Sequence, residues 1–150
     1  MRGTKLYRSA TPADAARWRE IRNDIEALFW SGNKQPIGLA EHMGWMQRAL
    51  TNPHQYLSVH DRDEQSPVDA YGRIQVEKQA EVSLGVDALA RRQGIGAGML
   101  QHLEQVAESF GVDRLVAYVH PSNIASMRTF MRQGYVLGGH PMFQRLEKPL

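Results

Sequence analysis

Hydrophobic residues recur in this chain with two different spacings, and the change between them is clearest from residue 81 to residue 111. Val82, Leu84 and Val86 alternate with polar or small residues, as the buried face of a strand does. From residue 99 onward the apolar residues fall three or four positions apart, which is the spacing of a helix face. The residues of this face are Met99, Leu100, Leu103, Val106, Ala107 and Phe110. Gly111 then fits a helix C-cap, so the pattern predicts a strand, a glycine-rich turn and a helix in immediate succession.

Three further helices are predicted outside this unit. The first begins at Thr11 and Pro12, an N-cap followed by proline at the first helical position, and it could break at Asn23. The inward stripe of the second helix is predicted to consist of Leu39, Met43, Met46 and Leu50. The third begins at Ser122 or Asn123. Its inward residues are predicted to be Ile124, Met127, Phe130 and Met131.

Short apolar runs, either alternating or continuous, predict the strands. The predicted strands cover residues 6–8, 56–60, 68–76, 80–86, 115–119, 135–137 and 142–146. The run at 115–119 is almost entirely apolar, which is typical of a strand covered on both faces. Strands and helices in this order predict a single mixed α/β domain over residues 1–150.

Composition narrows the classes of protein that fit. The chain has 150 residues and no cysteine, so it has no disulfide framework, no thiolate metal ligand and no cysteine nucleophile. Its formal net charge of +2 is too small to indicate a nucleic-acid partner. Residues 1–5 lack the apolar run of a signal peptide, and no run approaches transmembrane length. We therefore expect a cytoplasmic monomer or homodimer with no metal, no membrane association and no nucleic-acid partner.

The turn after the strand at 80–86 has the composition of an anion-binding loop. Gly94, Gly96 and Gly98 stand where a strand passes into a helix, so backbone N–H groups and the positive helix end point at one place. The spacing does not fit the dinucleotide fingerprint, and no Gly-Lys-Ser/Thr follows as a P-loop requires. Two interpretations remain: a pyrophosphate loop of another kind, and a helix that merely begins with flexible residues.

Two motifs in this region resemble those of one enzyme superfamily. Residues 91–96 read Arg-x-x-Gly-x-Gly, which is similar to the acyl-CoA pyrophosphate loop of the GNAT superfamily of N-acyltransferases. Residues 123–135 read Asn-x-x-Ser-x-x-x-Phe-x-x-x-Gly-Tyr, which is similar to the second motif of that superfamily. The resemblance implies a central twisted mixed sheet of about six or seven strands flanked by about four helices. It also implies acetyl-CoA as the acyl donor, with its pantetheine arm in a split between two strands.

The resemblance further implies which residues contact the donor. They are Leu84, Val86, Arg91, Arg92, Gln93, Gly94, Ile95, Gly96, Ala97, Asn123, Ser126 and Phe130. Beside the glycines, Arg91 and Arg92 favour phosphate contact, and the alternative is that both are solvated charges. Asn123 could serve as a helix N-cap and contact the donor as well.

Acyl transfer from a thioester to an amine needs a base, because only the neutral amine attacks. Glu81 lies close to where many members of the superfamily carry a base glutamate, and Ser83 shares its face of the strand. The alternative for Glu81 is that it is an exposed strand glutamate without a catalytic role. The tyrosine often proposed as the general acid of the superfamily is replaced here by Phe130. The remaining candidates for an acid are Tyr118, His120 and Tyr135, the last of which also suits a packing position.

The acceptor must be inferred from the N-terminal half of the chain. Arg22-Asn23 and the Glu-His-x-x-Trp at 41–45 resemble a branch of the superfamily that acetylates amino sugars attached to nucleotides. This resemblance implies that Arg22, Asn23, His42 and Trp45 contact such an acceptor. Ribosomal-protein alanine acetyltransferases share part of the pattern, which leaves a protein N-terminus or a small amine open. A non-catalytic acyl-CoA-binding module, suggested by the missing tyrosine, is the alternative of a different class.

Overall fold

The computed structural model of the chain describes residues 6–31, 35–63, 65, 67–138 and 144–150. The strands within these residues are β1 (Leu6–Ser9), β2 (Gln55–Asp61), β3 (Ala70–Val76), β4 (Ala80–Val86), β5 (Arg114–Val119), β6 (Val136–Gly138) and β7 (Gln144–Pro149). The α-helices are α1 (Ala15–Arg22), α2 (Ile25–Ser31), α3 (Leu39–Thr51), α4 (Ile95–Ser109) and α5 (Ile124–Arg132), and short 3₁₀ turns cover Pro12–Asp14 and Ala88–Ala90. This is the mixed α/β architecture predicted from the sequence.

The strands form one seven-stranded sheet in the order β1-β2-β3-β4-β5-β7-β6. All neighbours run antiparallel except β4 and β5, which are parallel. A parallel pair needs a crossover connection, and α4 supplies it on one face of the sheet. The parallel pair has a single register partner, Glu81 with Val116, whereas β3 and β4 pair along their full length. The two parallel strands therefore separate soon after they meet.

Each face of the sheet carries its own hydrophobic core. On one face α4 packs against alternate residues of the central strands, including Ile74, Val82 and Leu115. Gly72 of β3 allows α4 to approach the sheet closely, because a Cβ there would lie 2.7 Å from side-chain atoms of Met99 and Leu103. On the other face α1 and α3 cover β2 and β3. The residues of this second core include Trp18, Ile21, Met46, Leu57 and Val59. The two cores hold α4 on one face of the sheet and α1 and α3 on the other.

The buried stripe of α3 differs from the predicted one. Leu39 and Met43 are each 46% exposed, while His42, Met46 and Ala49 are buried. α3 packs against α1 and β2, and its Met46 and Ala49 share a core with Trp18 and Leu57 of those elements. A hydrophobicity pattern ranks leucine and methionine above histidine and alanine, so it selected a stripe rotated away from the one that packs.

The ends of two other helices were also predicted to be more buried than they are. In α5 Phe130 is buried, but Ile124 and Met131 are about half exposed. Phe110 is 68% exposed and forms the C-cap of α4 rather than its inner face. These residues lie in the first or last turn of their helices or just beyond it. Met142 of the last predicted strand lies outside the described residues.

The break predicted at Asn23 separates α1 from α2. The Asn23 side-chain amide donates to the Ile37 carbonyl at 2.9 Å and accepts from the Ile37 N–H at 2.8 Å. One side chain therefore ties the end of α1 to the segment that leads into α3. None of the described helices combines the length and the hydropathy needed to cross a membrane.

Two glycines inside helices should respond in opposite ways to alanine. A Cβ at Gly98 would lie 2.0 Å from the Tyr7 hydroxyl, which is held by its bond to the Ile95 carbonyl at 3.0 Å. A Cβ at Gly44 would meet only the end of the exposed Arg48 side chain at 3.3 Å. We expect Gly98→Ala to lower the free energy of unfolding by about 1–3 kcal/mol. We expect Gly44→Ala to raise it by about 0.5–1 kcal/mol.

Urea unfolding of both variants beside the wild type measures this difference. Because the substitution is the same, helix propensity acts in the same direction at both sites and only the contact with Tyr7 differs. Equal stabilisation by both substitutions would contradict the close packing of α4 against β1.

Candidate active site

A large cavity begins where β4 and β5 separate. Its volume is about 1440 Å³, above the roughly 300–1,000 Å³ that is usual for a site holding one small molecule. Its walls come from β4, the first turn of α4, the end of β5 and α5, with α1 and α3 on the other side. The cavity is large enough for two reactants, one against the glycine turn and one against the N-terminal helices.

The glycine turn has the conformation that its sequence requires. Gly94 is the N-cap of α4 with φ of +76°, in the left-handed region that favours glycine. The bond from Gly98 N–H to the Gly94 carbonyl is 3.0 Å long, so the N–H groups of residues 95–97 precede the helical ladder. A Cβ at Gly96 would meet nothing closer than Val86 at 3.7 Å, and this leaves the approach to the backbone open. The turn fits a pyrophosphate.

The three polar residues of the turn have different surroundings. Arg91 donates to Glu26 at 2.5 Å and lies 3.4 Å from Asp24, so its charge is already paired with the α1–α2 segment. Arg92 is exposed, has φ of +65° and lines the cavity. Gln93 does not line it, and its side chain accepts a hydrogen bond from Arg62 at 2.8 Å. Arg92 is thus the cation of the turn that remains exposed beside the glycines.

All nine of the other predicted donor contacts lie on the cavity wall. The residues on the wall are Leu84, Val86, Gly94, Ile95, Gly96, Ala97, Asn123, Ser126 and Phe130. Asn123 is the N-cap of α5, and its Oδ1 accepts from the Ser126 N–H at 3.2 Å. That bond uses the amide oxygen and leaves the NH₂ group of the side chain for another partner. The cap and the donor contact are therefore compatible.

Glu81 and Ser83 lie on the face of β4 that is turned toward α1 and α3. Both are half-buried and both line the cavity. Their register partners on β3 are Gln75 and Arg73, which share that face. Glu81 also pairs with Val116 of β5, so its carboxylate stands at the point from which the two strands diverge.

The candidates for a general acid separate into two groups. Phe130 is 3% exposed and meets the Tyr135 ring edge-on at 5.0 Å. Tyr135 does not line the cavity; burial raises its pKa, and its hydroxyl has no hydrogen-bond partner among the described residues. The structure therefore gives Tyr135 a packing position, which corrects its place among the catalytic candidates. His120 and Tyr118 do line the cavity.

The two candidates on the wall are both hydrogen-bonded. The His120 Nδ1 lies 2.7 Å from the Ser122 hydroxyl, and its ring contacts Phe29 at 5.0 Å. The Tyr118 hydroxyl accepts from the Gln79 amide at 2.5 Å. Tyr118 shares the face of β5 that continues the face carrying Glu81, since it lies two residues after Val116.

Three of the four residues predicted for the acceptor line the cavity. Arg22, His42 and Trp45 do so, whereas both ends of the Asn23 amide are engaged by Ile37. Asn23 therefore has a structural position, and a substrate contact has no support. Burial is the main cause that lowers the His42 pKa, followed by the charges of nearby arginines, so its imidazole is neutral near pH 7.

The structure adds residues to this pocket that the sequence analysis missed. Trp18 stacks on Tyr71 with ring centroids 4.4 Å apart, and Trp45 stands 5.8 Å from Trp18. The Arg73 guanidinium lies 5.8 Å from the centroid of the Trp45 ring. In the sequence Arg73 occupies a polar position of an alternating strand, and such a position predicts a solvent-facing side chain. In the structure Arg73 pairs with Ser83 and shares the sheet face of Tyr71, which packs against the core formed with α1 and α3.

No group of three or more histidine, aspartate or glutamate side chains that could hold a metal occurs among the residues the structure describes. The split parallel pair with a glycine turn beside it agrees with the fold that the resemblance to the GNAT superfamily implies. Residues 5–135 match the model of the acetyltransferase (GNAT) family, and the chain belongs to that family. The enzyme class and the acetyl-CoA donor predicted from the sequence are thereby confirmed.

Individual proteins named for a particular substrate are similar to this chain at 20–27% identity. The chain is 27% identical over 122 residues to "Putative phosphinothricin acetyltransferase YwnH" of Bacillus subtilis (strain 168), covering 77% of this chain and 73% of the relative. A phosphinothricin acetyltransferase from Sinorhizobium meliloti in complex with acetyl-CoA has the same fold, with a TM-score of 0.84 and 20% identity over 98% of this chain and 89% of that one. The ribosomal-protein-alanine N-acetyltransferase of Brucella melitensis shares the fold too, with a TM-score of 0.83 and 24% identity over 97% and 99% of the chains.

The glycine turn can be tested by adding a side chain that the fold tolerates. We expect Gly96→Val to raise the Kd for acetyl-CoA at least about tenfold, because its methyl groups would occupy the approach to the turn. We expect the free energy of unfolding to change by less than about 1 kcal/mol, since the nearest atoms are 3.7 Å from the new Cβ. Calorimetric titration with acetyl-CoA, with Gly44→Ala as the control glycine outside the cavity, measures the effect. Unchanged affinity in a folded Gly96→Val protein would overturn the assignment of the turn.

Proposed function

We propose that this protein acetylates a primary amine of a small molecule by direct attack of the amine on acetyl-CoA. The observation that carries the proposal is that Glu81 and the glycine turn line one cavity. When bound, acetyl-CoA supplies a thioester: a C–N bond to the amine forms, the C–S bond breaks and the thiolate leaves. No bond to the protein is required, so the absence of cysteine is no obstacle.

Glu81 is proposed as the general base. It is half-buried on the wall where the strands diverge, and Ser83 stands two residues along the same face. A carboxylate in this position can take a proton from the incoming ammonium group, either directly or through a water held by the Ser83 hydroxyl. The neutral amine that results is the nucleophile.

The leaving thiolate is proposed to depart without an acid at residue 130. A phenyl ring has no proton to give, and a free thiol has a pKa of roughly 8.5, so the thiolate is a tolerable leaving group in water. Tyr118 and His120 on the cavity wall remain the candidates for partial assistance. Either would protonate the thiolate after the C–S bond has broken, and solvent can do the same.

The first acceptor to consider is a small amino acid such as phosphinothricin, since relatives are named for that compound. A nucleotide-linked amino sugar is the second candidate. It is favoured by the presence of Arg22, His42 and Trp45, the residues that carried the resemblance, on the wall of the acceptor half. None of the relatives reported above is named for an amino sugar.

Release of free thiol from acetyl-CoA tests the proposal. We expect release with phosphinothricin or with a nucleotide-linked amino sugar, and none with a peptide that begins with alanine. Release with the peptide alone would keep the chemistry and overturn the small-molecule acceptor. No release with any amine, by a protein that still binds acetyl-CoA, would favour a non-catalytic binding module.

Replacing the proposed base separates its role from binding. We expect Glu81→Gln to lower kcat/KM about 10²- to 10⁴-fold at neutral pH while the Kd for acetyl-CoA stays within about twofold. The loss should shrink as the pH rises toward the pKa of the acceptor amine, because neutral amine then arrives from solution. Rate profiles from pH 6 to 10 for both proteins measure this. A pH-independent ratio between the two proteins would remove Glu81 from the role of base.

A further inference from the structure

Two arginines face the acceptor half of the cavity from different elements. Arg22 ends α1 four residues after Trp18, so the two side chains share a helix face, and Trp18 stacks on Tyr71 of β3. Arg73 follows Tyr71 by two residues and therefore lies on the same face of the sheet. Both arginines line the cavity. The stacked Trp18 and Tyr71 thus join the two elements that carry Arg22 and Arg73 on the wall of one pocket.

Neither guanidinium is directly paired with a carboxylate in the part of the chain that the structure describes. Among the described residues, neither Arg22 nor Arg73 donates a hydrogen bond or forms an ion pair with a carboxylate. Burial lowers the pKa of Arg73, the negative charge of Glu81 and, more weakly, Tyr71 and Glu77 oppose this, and the charge of Arg22 lowers that pKa further. Two cations that repel each other in a half-buried pocket are costly unless an anion joins them. A ligand can supply that anion.

We infer that Arg22 and Arg73 form an anion subsite that holds a carboxylate, phosphinate or phosphate group of the acceptor while its amine faces Glu81. The planar guanidinium fork suits such groups because it can donate two parallel hydrogen bonds to them. Arg73 lies opposite Ser83 and beside Glu81 on the neighbouring strand, so an anion bound there is one strand away from the base. The acceptor is then an amine that carries a negative group a few bonds from its nitrogen.

This inference rests on the proposed function and narrows its substrate class. It also explains why aromatic side chains line the acceptor half of the cavity. Trp45 stands near the Arg73 guanidinium and can cover the apolar part of the acceptor while the arginines hold the charged end. A neutral amine of the same size would leave both cations without a partner, and we expect it to be a poor acceptor.

Matched acceptors with and without the negative charge test the subsite. One pair is phosphinothricin and its doubly methyl-esterified form, which keeps the amine and loses both negative charges. The other pair is a nucleotide-linked amino sugar and glucosamine, which separates a phosphate source from a carboxylate or phosphinate source. We expect Arg73→Gln to raise the KM of the charged member that the wild type accepts about 10- to 100-fold. The KM of its neutral counterpart and that of acetyl-CoA should stay within about twofold.

Two further variants serve as controls. Arg73→Lys keeps the charge without the fork and should fall between the wild type and Arg73→Gln. Arg114→Gln removes the same charge from β5 at a residue that does not line the cavity, and it should leave both KM values unchanged. If Arg73→Gln instead impairs the charged and neutral acceptors equally, or acts on kcat alone, the residue positions Glu81 and the anion subsite is overturned.

Binding without turnover keeps this test independent of the proposed function. If no amine releases thiol, calorimetric titration of phosphinothricin and of the nucleotide-linked amino sugar still reports on the pocket. Binding by the wild type that is lost in Arg73→Gln but kept in Arg114→Gln would support the subsite even though catalysis had failed. Absence of binding by the wild type to both compounds would overturn it.

Discussion

The separation of β4 from β5 after the single pair of Glu81 with Val116 is the constraint on which the rest of the structure depends. Beyond that pair the facing edges of the two strands have no strand partner, and backbone groups in a protein interior need hydrogen-bond partners. An extended ligand entering the split can supply them. The same divergence leaves room for the first turn of α4, whose early N–H groups border the cavity. The cavity and the glycine turn on its wall therefore both depend on one interrupted ladder.

The two halves of the site are supported by different cores but are tied together near the turn. Arg17 of α1 forms an ion pair with Asp87, whose carboxylate also accepts from the Leu89 N–H in the short turn before the glycines. Arg91 connects the turn itself to Glu26 of α2. Such partly exposed pairs each contribute about 0–1 kcal/mol, so they position the turn more than they stabilise the fold. A change in α1 or α2 can thus reach the donor site.

The site also shows why individual residues differ in how well a sequence predicts them. The glycine turn and Asn123 belong to short motifs with a local physical reason, Glu81 was predicted from its position relative to the superfamily, and all of them line the cavity. Gln93 belongs to the same motif region, but its side chain is taken by Arg62, a residue distant in sequence. Asn23 looks like a ligand contact until Ile37 is seen to occupy its amide. In both cases a tertiary partner decides what a polar side chain does.

By itself the sequence determined the order of strands and helices and the glycine turn, because these follow from periodicity and local residue types. The family and the acyl donor followed from the resemblance of two motifs to those of a known superfamily. Tertiary structure decided which stripe of α3 is buried, that Tyr135 packs away from the cavity and that Arg73 lines it. Those features depend on which element packs against which face. Polar residues of a strand look the same whether water or a helix covers them, and only the assembled fold distinguishes the two.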